Sequence, residues 1–173
     1  MQKPYPSFKQ PHFRPSAWLW NCHLQTVVGR WLRSKKGVTF RRERLETSDG
    51  DFVDLDFADV DGATWADLGD QAPIVLLLHG LEGSARSGYA YETYRNLARC
   101  GLRPVGLNFR SCSGEMNRNA RIYHSGETTD AHSIVRLLAE RYPSVRLGMI
   151  GFSLGGNVLL KYLGEQGDNA QVD

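Results

Sequence analysis

Val145-Arg146-Leu147-Gly148-Met149-Ile150-Gly151-Phe152-Ser153-Leu154-Gly155-Gly156-Asn157-Val158-Leu159-Leu160-Lys161-Tyr162-Leu163-Gly164 is the stretch on which the reading of this chain turns. Val145 to Ile150 is a short apolar run, expected to form a buried strand. Leu154 to Gly164 is expected to form a helix. Between them, Gly151-Phe152-Ser153-Leu154-Gly155 matches the Gly-x-Ser-x-Gly pattern of a nucleophile elbow, a sharp strand-to-helix turn that holds a serine in a strained backbone conformation. The residues two before and two after the serine must be small, because other backbone passes close to them. By composition alone, about one chain in ten to twenty of this length would carry the pattern. Its position between a strand and a helix is what gives it weight. The competing reading is a glycine-rich turn with a bystander serine.

Working backwards from the elbow, strand and helix alternate. Ile74 to Leu78 is a continuous apolar run of the kind buried on both faces of a sheet. Gly88 to Gly101 reads as a helix, Arg103 to Phe109 as a second buried strand, and Glu127 to Tyr142 as a helix with Pro143 just past its end. Such alternation predicts a parallel sheet covered by helices on both faces. Ahead of it, Val38 to Glu46 and Phe52 to Phe57 flank the turn signal Ser48-Asp49-Gly50 and predict an antiparallel hairpin. Phe52 and Asp54 are expected on one face of the second strand, with Val53 and Leu55 on the other. Asp59 to Gln71 reads as a loop. The fold class is therefore α/β.

The N-terminal part is different. Residues 1–15 carry four prolines and are expected to run extended. Ser16 is expected to cap a helix reaching about Arg33. The resulting division is an N-terminal extension with a helix over 1–37 and an α/β domain over 38–173. Only three parallel strands are accounted for before the sequence ends, so the domain is expected to be incomplete, with the C-terminal half of the fold absent.

Composition excludes several functions. Hydrophobic residues make up 41% and charged residues 23%, as in ordinary globular proteins, and the net charge is +2. That balance gives no argument for nucleic acid or an anionic membrane as partner. Arg41-Arg42-Glu43-Arg44 reads as a solvated strand face. No run approaches the roughly 20 apolar residues of a membrane-spanning helix, so no integral membrane segment is expected. The N-terminus has no apolar core of a signal peptide. Three widely spaced cysteines, Cys22, Cys100 and Cys112, suggest neither a disulfide framework nor a zinc site, and a cytoplasmic location is expected. No histidine pair has metal-ligand spacing and no phosphate-binding loop appears, so neither metal nor cofactor is expected.

The chemistry concentrates on Ser153. A serine hydroxyl needs a base to attack a carbonyl. His79-Gly80-Leu81-Glu82-Gly83 follows the first parallel strand, where α/β-hydrolases place one oxyanion donor; the N–H groups of Leu81 and Leu154 are the expected pair. Gly80, Gly151 and Gly155 support the elbow and this loop. His79 is expected to brace the loop rather than act as the base. All five histidines precede Ser153, whereas this fold orders serine, acid, then histidine. His132 reads as a helix-surface residue, His124 as a structural loop residue, and Cys112 as a buried, unreactive thiol.

Several segments together resemble the YheT-like branch of the α/β-hydrolase superfamily, a group of candidate carboxylesterases. They are Trp18-Leu19 with His23-Leu24-Gln25-Thr26, Asp49 to Asp56, His79 to Ser84, Asn108 to Glu115, Tyr123 to Glu127 and Gly151 to Glu165. The resemblance implies the α/β-hydrolase fold in a protein roughly twice this long. It also implies an Asp and a His beyond residue 173 that complete a triad with Ser153, and hydrolysis of short- or medium-chain acyl esters. The implied partner is a small acyl-ester substrate. This chain alone is expected to be inactive. The alternatives are acyl transfer to an alcohol on the same fold and a non-catalytic, degenerate hydrolase fragment. Ser111 departs from the family, which usually has glycine there.

Overall fold

The structure, a computed structural model, describes residues 14–172. The extended run expected over 1–15 falls largely outside them. The chain divides into two compact units, Met1–Leu32 and Arg33–Asp173.

In the first unit, a 3-10 turn over Ala17–Leu19 precedes helix α1, Cys22–Trp31. The expected Ser16 cap is corrected. Ser16 makes no side-chain capping bond, and its carbonyl closes the 3-10 turn by accepting the Leu19 N–H at 2.8 Å. Asn21 caps α1 instead, its side chain accepting the N–H of His23 at 2.8 Å. Asparagine serves at this position because its short side chain reaches an amide that the first helical turn leaves unbonded.

The second unit is a five-stranded sheet in the order β1-β2-β4-β3-β5. Its strands are β1 Val38–Glu46, β2 Phe52–Val60, β3 Ile74–Leu78, β4 Arg103–Asn108 and β5 Leu147–Gly151. β1, β2 and β4 pair antiparallel, while β3 pairs parallel with both β4 and β5. The hairpin and the parallel core both match expectation. Helices α2 Gly88–Arg99, α3 Thr129–Arg141 and α4 Leu154–Gln166 cover the sheet. Ile74, Leu76 and Leu78 of β3 pack with Ile134, Leu138, Val158 and Tyr162 of α3 and α4. Leu77 points the other way and packs with Ala90, Tyr91 and Tyr94 of α2. Successive side chains of a strand alternate faces, so one apolar run serves both layers.

Strand β2 is longer than expected, reaching Val60, and both of its faces are buried. It pairs with β1 along its whole length, from Glu46↔Phe52 to Val38↔Val60. The arginine cluster of β1 is solvent-exposed, as expected of a solvated strand face, and two of its members also pair with the buried acids of β2. Arg42 lies opposite Asp56 and Arg44 opposite Asp54 across the hairpin. Each arginine forks onto its partner: Arg42 Nε and Nη2 both at 2.8 Å, Arg44 Nε at 2.9 Å and Nη2 at 3.0 Å. Asp54 and Asp56 carry essentially no solvent exposure, so their charges require these partners. Burial pushes both carboxyls up in pKa, but their hydrogen bonds and the arginine charges together outweigh it and leave each below its ordinary value.

A second buried cluster follows β4. Arg110 is enclosed and forks onto Asp130 at 2.7 and 2.8 Å, while its Nη1 reaches Asp49 at 2.9 Å and Asp51 at 3.2 Å. This fixes the loop after β4 against the β1–β2 turn. Ser111 sits at φ 62°. That is left-handed backbone, which glycine adopts freely. Here the Ser111 hydroxyl accepts the Asn117 N–H at 3.1 Å and the Asn117 side chain accepts the Ser111 N–H.

Candidate active site

The C-terminal ends of β3 and β5 bring together the two segments singled out in the sequence. Ser153 lies between β5 and α4 at φ 53° and ψ −116°, and is exposed. An L-residue is rarely found in that backbone region, and here the surrounding main chain enforces it. The N–H of Phe152 donates to the carbonyl of Leu78 at 2.9 Å, so the elbow continues the pairing of β5 with β3. A Cβ on Gly151 would lie 2.5 Å from the carbonyl oxygen of Gly155, and one on Gly155 would lie 2.4 Å from that of Leu78. Backbone crossing at this separation leaves room only for glycine.

The facing loop runs from His79. A Cβ on Gly80 would stand 3.2 Å from Cβ of Ser153 and 3.9 Å from its Oγ, so the loop lies directly against the serine. Gly80 to Gly83 forms a turn closed by the Gly83 N–H on the Gly80 carbonyl at 3.0 Å, with Glu82 at φ 52°. Positive φ at the third position marks a type II turn.

Following every main-chain donor of this loop isolates one group. The Gly80 N–H donates to the Tyr89 hydroxyl at 3.0 Å and the Glu82 N–H to the Tyr123 hydroxyl at 2.8 Å. Gly83 is bonded as above. The N–H groups of Ser84, Ala85, Arg86 and Ser87 go to the Ser87 hydroxyl, Asn108, the Ser84 hydroxyl and the Ser84 carbonyl. Among the described residues, only the Leu81 N–H of residues 80–87 has no partner. The Leu154 N–H, first in α4, also has none among them, as expected of a helix start. Two free donors beside an exposed serine hydroxyl are an arrangement that can stabilise an oxyanion.

A family profile described as alpha/beta hydrolase fold matches residues 73–171, which span β3 through the end of α4. The chain belongs to the α/β-hydrolase family. Within that family, it is 41% identical over 164 residues to the candidate esterase YheT of Escherichia coli K12, covering 93% of this chain and 46% of that protein. It is 32% identical over 160 residues to human phospholipase ABHD3, covering 92% of this chain and 39% of that one. The chain thus spans less than half the length of these curated relatives. Among solved structures, the Pyrococcus furiosus esterase Pf2001 superposes with a TM-score of 0.58 at 23% identity, over 73% of this chain and 47% of that one, which speaks to the fold.

In this α/β-hydrolase, His79 has both ring nitrogens engaged. Nε2 accepts the N–H of Phe109 at 3.1 Å, which leaves the ring proton on Nδ1, donated to the Gly80 carbonyl at 2.7 Å. Burial holds its pKa below the ordinary value, partly offset by the Gly80 carbonyl. His124 accepts the Gly126 N–H at 3.1 Å within its own turn. The reading of His132 as a helix-surface residue is corrected. It is half-buried with its ring 6.0 Å from that of Tyr162, and its buried Nδ1 has no partner among the described residues. The helical pattern of α3 alone could not reveal that α4 packs over that position. Cys112 is half-buried; burial raises its thiol pKa, partly countered by a hydrogen bond with the Tyr123 side chain. Among the described residues, no group of three or more His, Cys, Asp or Glu side chains could hold a metal ion. Nor is any helix long and apolar enough to cross a membrane.

Tyr89, Tyr123 and Asn108 are site residues to which sequence reasoning gave no role, although Asn108 and Tyr123 each open a segment that carries the family resemblance. Each supports the loop from elsewhere in the chain.

Proposed function

We propose that this chain carries the nucleophile and oxyanion hole of a serine hydrolase that cleaves carboxylic esters of short or medium acyl chains. The observation that carries the reading is Ser153, held at φ 53° directly against a loop whose one unbonded N–H belongs to Leu81. In this reading, Ser153 Oγ attacks the acyl carbonyl and its proton passes to a histidine that an aspartate orients; both are supplied by the remainder of the full protein, as the family's chain order implies. The N–H groups of Leu81 and Leu154 receive the negative charge that develops on the carbonyl oxygen. The histidine returns the proton to the departing alcohol, and water then releases the acid from the acyl-enzyme. His79, Gly80, Gly151 and Gly155 are the supporting residues, within a hydrolase domain proposed over 38–173 behind an extension over 1–37. The relatives named as an esterase and a phospholipase support an ester as the substrate.

The test uses the full natural chain with p-nitrophenyl butyrate and a fluorophosphonate label. Ser153→Ala should lower kcat by about 10⁶-fold and abolish labelling. Substantial turnover by Ser153→Ala would overturn the assignment.

A further inference from the structure

We infer that the N-terminal segment seats this protein on the surface of an anionic lipid bilayer, through the exposed apolar side chains of α1 and of the turn before it. Nothing in this depends on the reading of Ser153.

The net charge of +2 conceals an uneven distribution. Residues 1–37 hold seven of the 21 Lys and Arg residues and none of the 19 Asp and Glu. Residues 38–173 hold the other 14 bases against all 19 acids, the first of which is Glu43. An acid-free basic segment on an otherwise acidic chain is complementary to a negatively charged surface. Arg14, Arg33, Lys35 and Lys36 are exposed.

The same segment presents an apolar face. Leu24, Val27, Val28 and Trp31 recur at the spacing of one side of a helix. A surface helix ordinarily buries that side against the core. Here none of the described residues of 14–32 is buried: Trp18 is 60% exposed, Trp20 73%, Leu24 40%, Val27 46% and Leu32 65%. The Gln25 side chain donates to the Leu19 carbonyl at 2.7 Å, which fastens the turn bearing Trp18 and Trp20 to α1.

Helix α1 has ten residues and is about 15 Å long, half of what a bilayer core of about 30 Å requires. Such a helix lies in the plane of the interface. Its apolar side enters the acyl boundary, indole rings settle at the headgroup level and basic groups meet anionic headgroups. A nucleic acid would satisfy the bases but leave the tryptophans, Leu24 and Val27 in water, so the combination favours lipid.

The test is co-sedimentation of the full natural chain with vesicles of phosphatidylcholine alone or mixed with phosphatidylglycerol. Binding should be at least about tenfold tighter to the mixed vesicles. Lys35→Gln with Lys36→Gln should weaken binding to mixed vesicles about tenfold and leave binding to neutral ones unchanged. Trp18→Ala with Trp20→Ala should weaken both about tenfold and reduce the blue shift of tryptophan emission on binding. All four side chains are exposed, so the melting temperature should stay at the native value. Ser153→Ala should bind as the native chain does, which keeps this outcome separate from that of the hydrolase assay. A full chain that ignores anionic vesicles overturns the inference, since the remainder of the protein then covers the face. Equal binding by all variants overturns it too, as does binding to double-stranded DNA in preference to vesicles.

Discussion

The main-chain N–H of Phe109 donates to Nε2 of His79 at 3.1 Å, fastening the end of β4 to the end of β3 beside Ser153. The bond requires an unprotonated Nε2. His79 is fully enclosed, and burial lowers its pKa below the ordinary 6.5. The folded state therefore binds fewer protons than the unfolded chain as this histidine titrates.

The pH dependence of stability follows from that sign. The contribution of His79 is complete above about pH 6.5, the unfolded value, and declines as pH falls towards the lowered folded one. Carboxylates held below their ordinary values, such as Asp54 and Asp56, act in a more acidic window. Between about pH 6.5 and 5, the melting temperature of the native protein should fall more steeply than that of His79→Gln. Parallel slopes would show that the histidine is not the group responsible.

Glycine replacement should separate the crossing positions from an ordinary one. A Cβ at Gly151 or Gly155 meets backbone oxygen at 2.5 or 2.4 Å, and backbone cannot rotate away as a side chain can. Alanine at either position should destabilise by about 3 kcal/mol or more, at the upper end of overpacking costs. Gly164 lies within α4 with nothing within 4 Å of a built Cβ. Gly164→Ala should stabilise by about 0.5–1 kcal/mol through helix propensity and reduced unfolded-state freedom. Urea unfolding of the three variants gives the comparison, and equal effects would contradict the crossing geometry.

Strain at the elbow can be measured directly. Ser153 occupies φ 53° and ψ −116°, which glycine reaches without the steric penalty of a Cβ. Both Ser153→Gly and Ser153→Ala remove the hydroxyl, but only glycine relieves the backbone. The glycine variant should be more stable than the alanine variant by about 1 kcal/mol, within the range stored at strained functional sites. Alanine equal to or above glycine in unfolding free energy would mean that the elbow is unstrained.

The sequence was readable where local pattern and local chemistry coincide. The run Ile74 to Leu78 could only be a buried strand in this setting, and Gly151 and Gly155 disclosed a backbone crossing because no other residue tolerates one. The fold class and the placing of Ser153 between strand and helix followed from those few residues. The pairing of Arg42 with Asp56 was not legible, because alternation along β1 and β2 does not state their register. Neither was the packing of α4 over His132.

The sequence by itself determined that a serine would stand on a strand-to-helix turn with a glycine-containing loop nearby, since periodicity and glycine spacing act over a few residues. Only the tertiary structure decided which amide of that loop is left free. Tyr89 takes the Gly80 N–H, Tyr123 the Glu82 N–H and Asn108 the Ala85 N–H, from positions 9, 41 and 23 residues away. A main-chain donor is spent or spared according to what folds against it, and that depends on contacts between distant parts of the chain that no local pattern encodes.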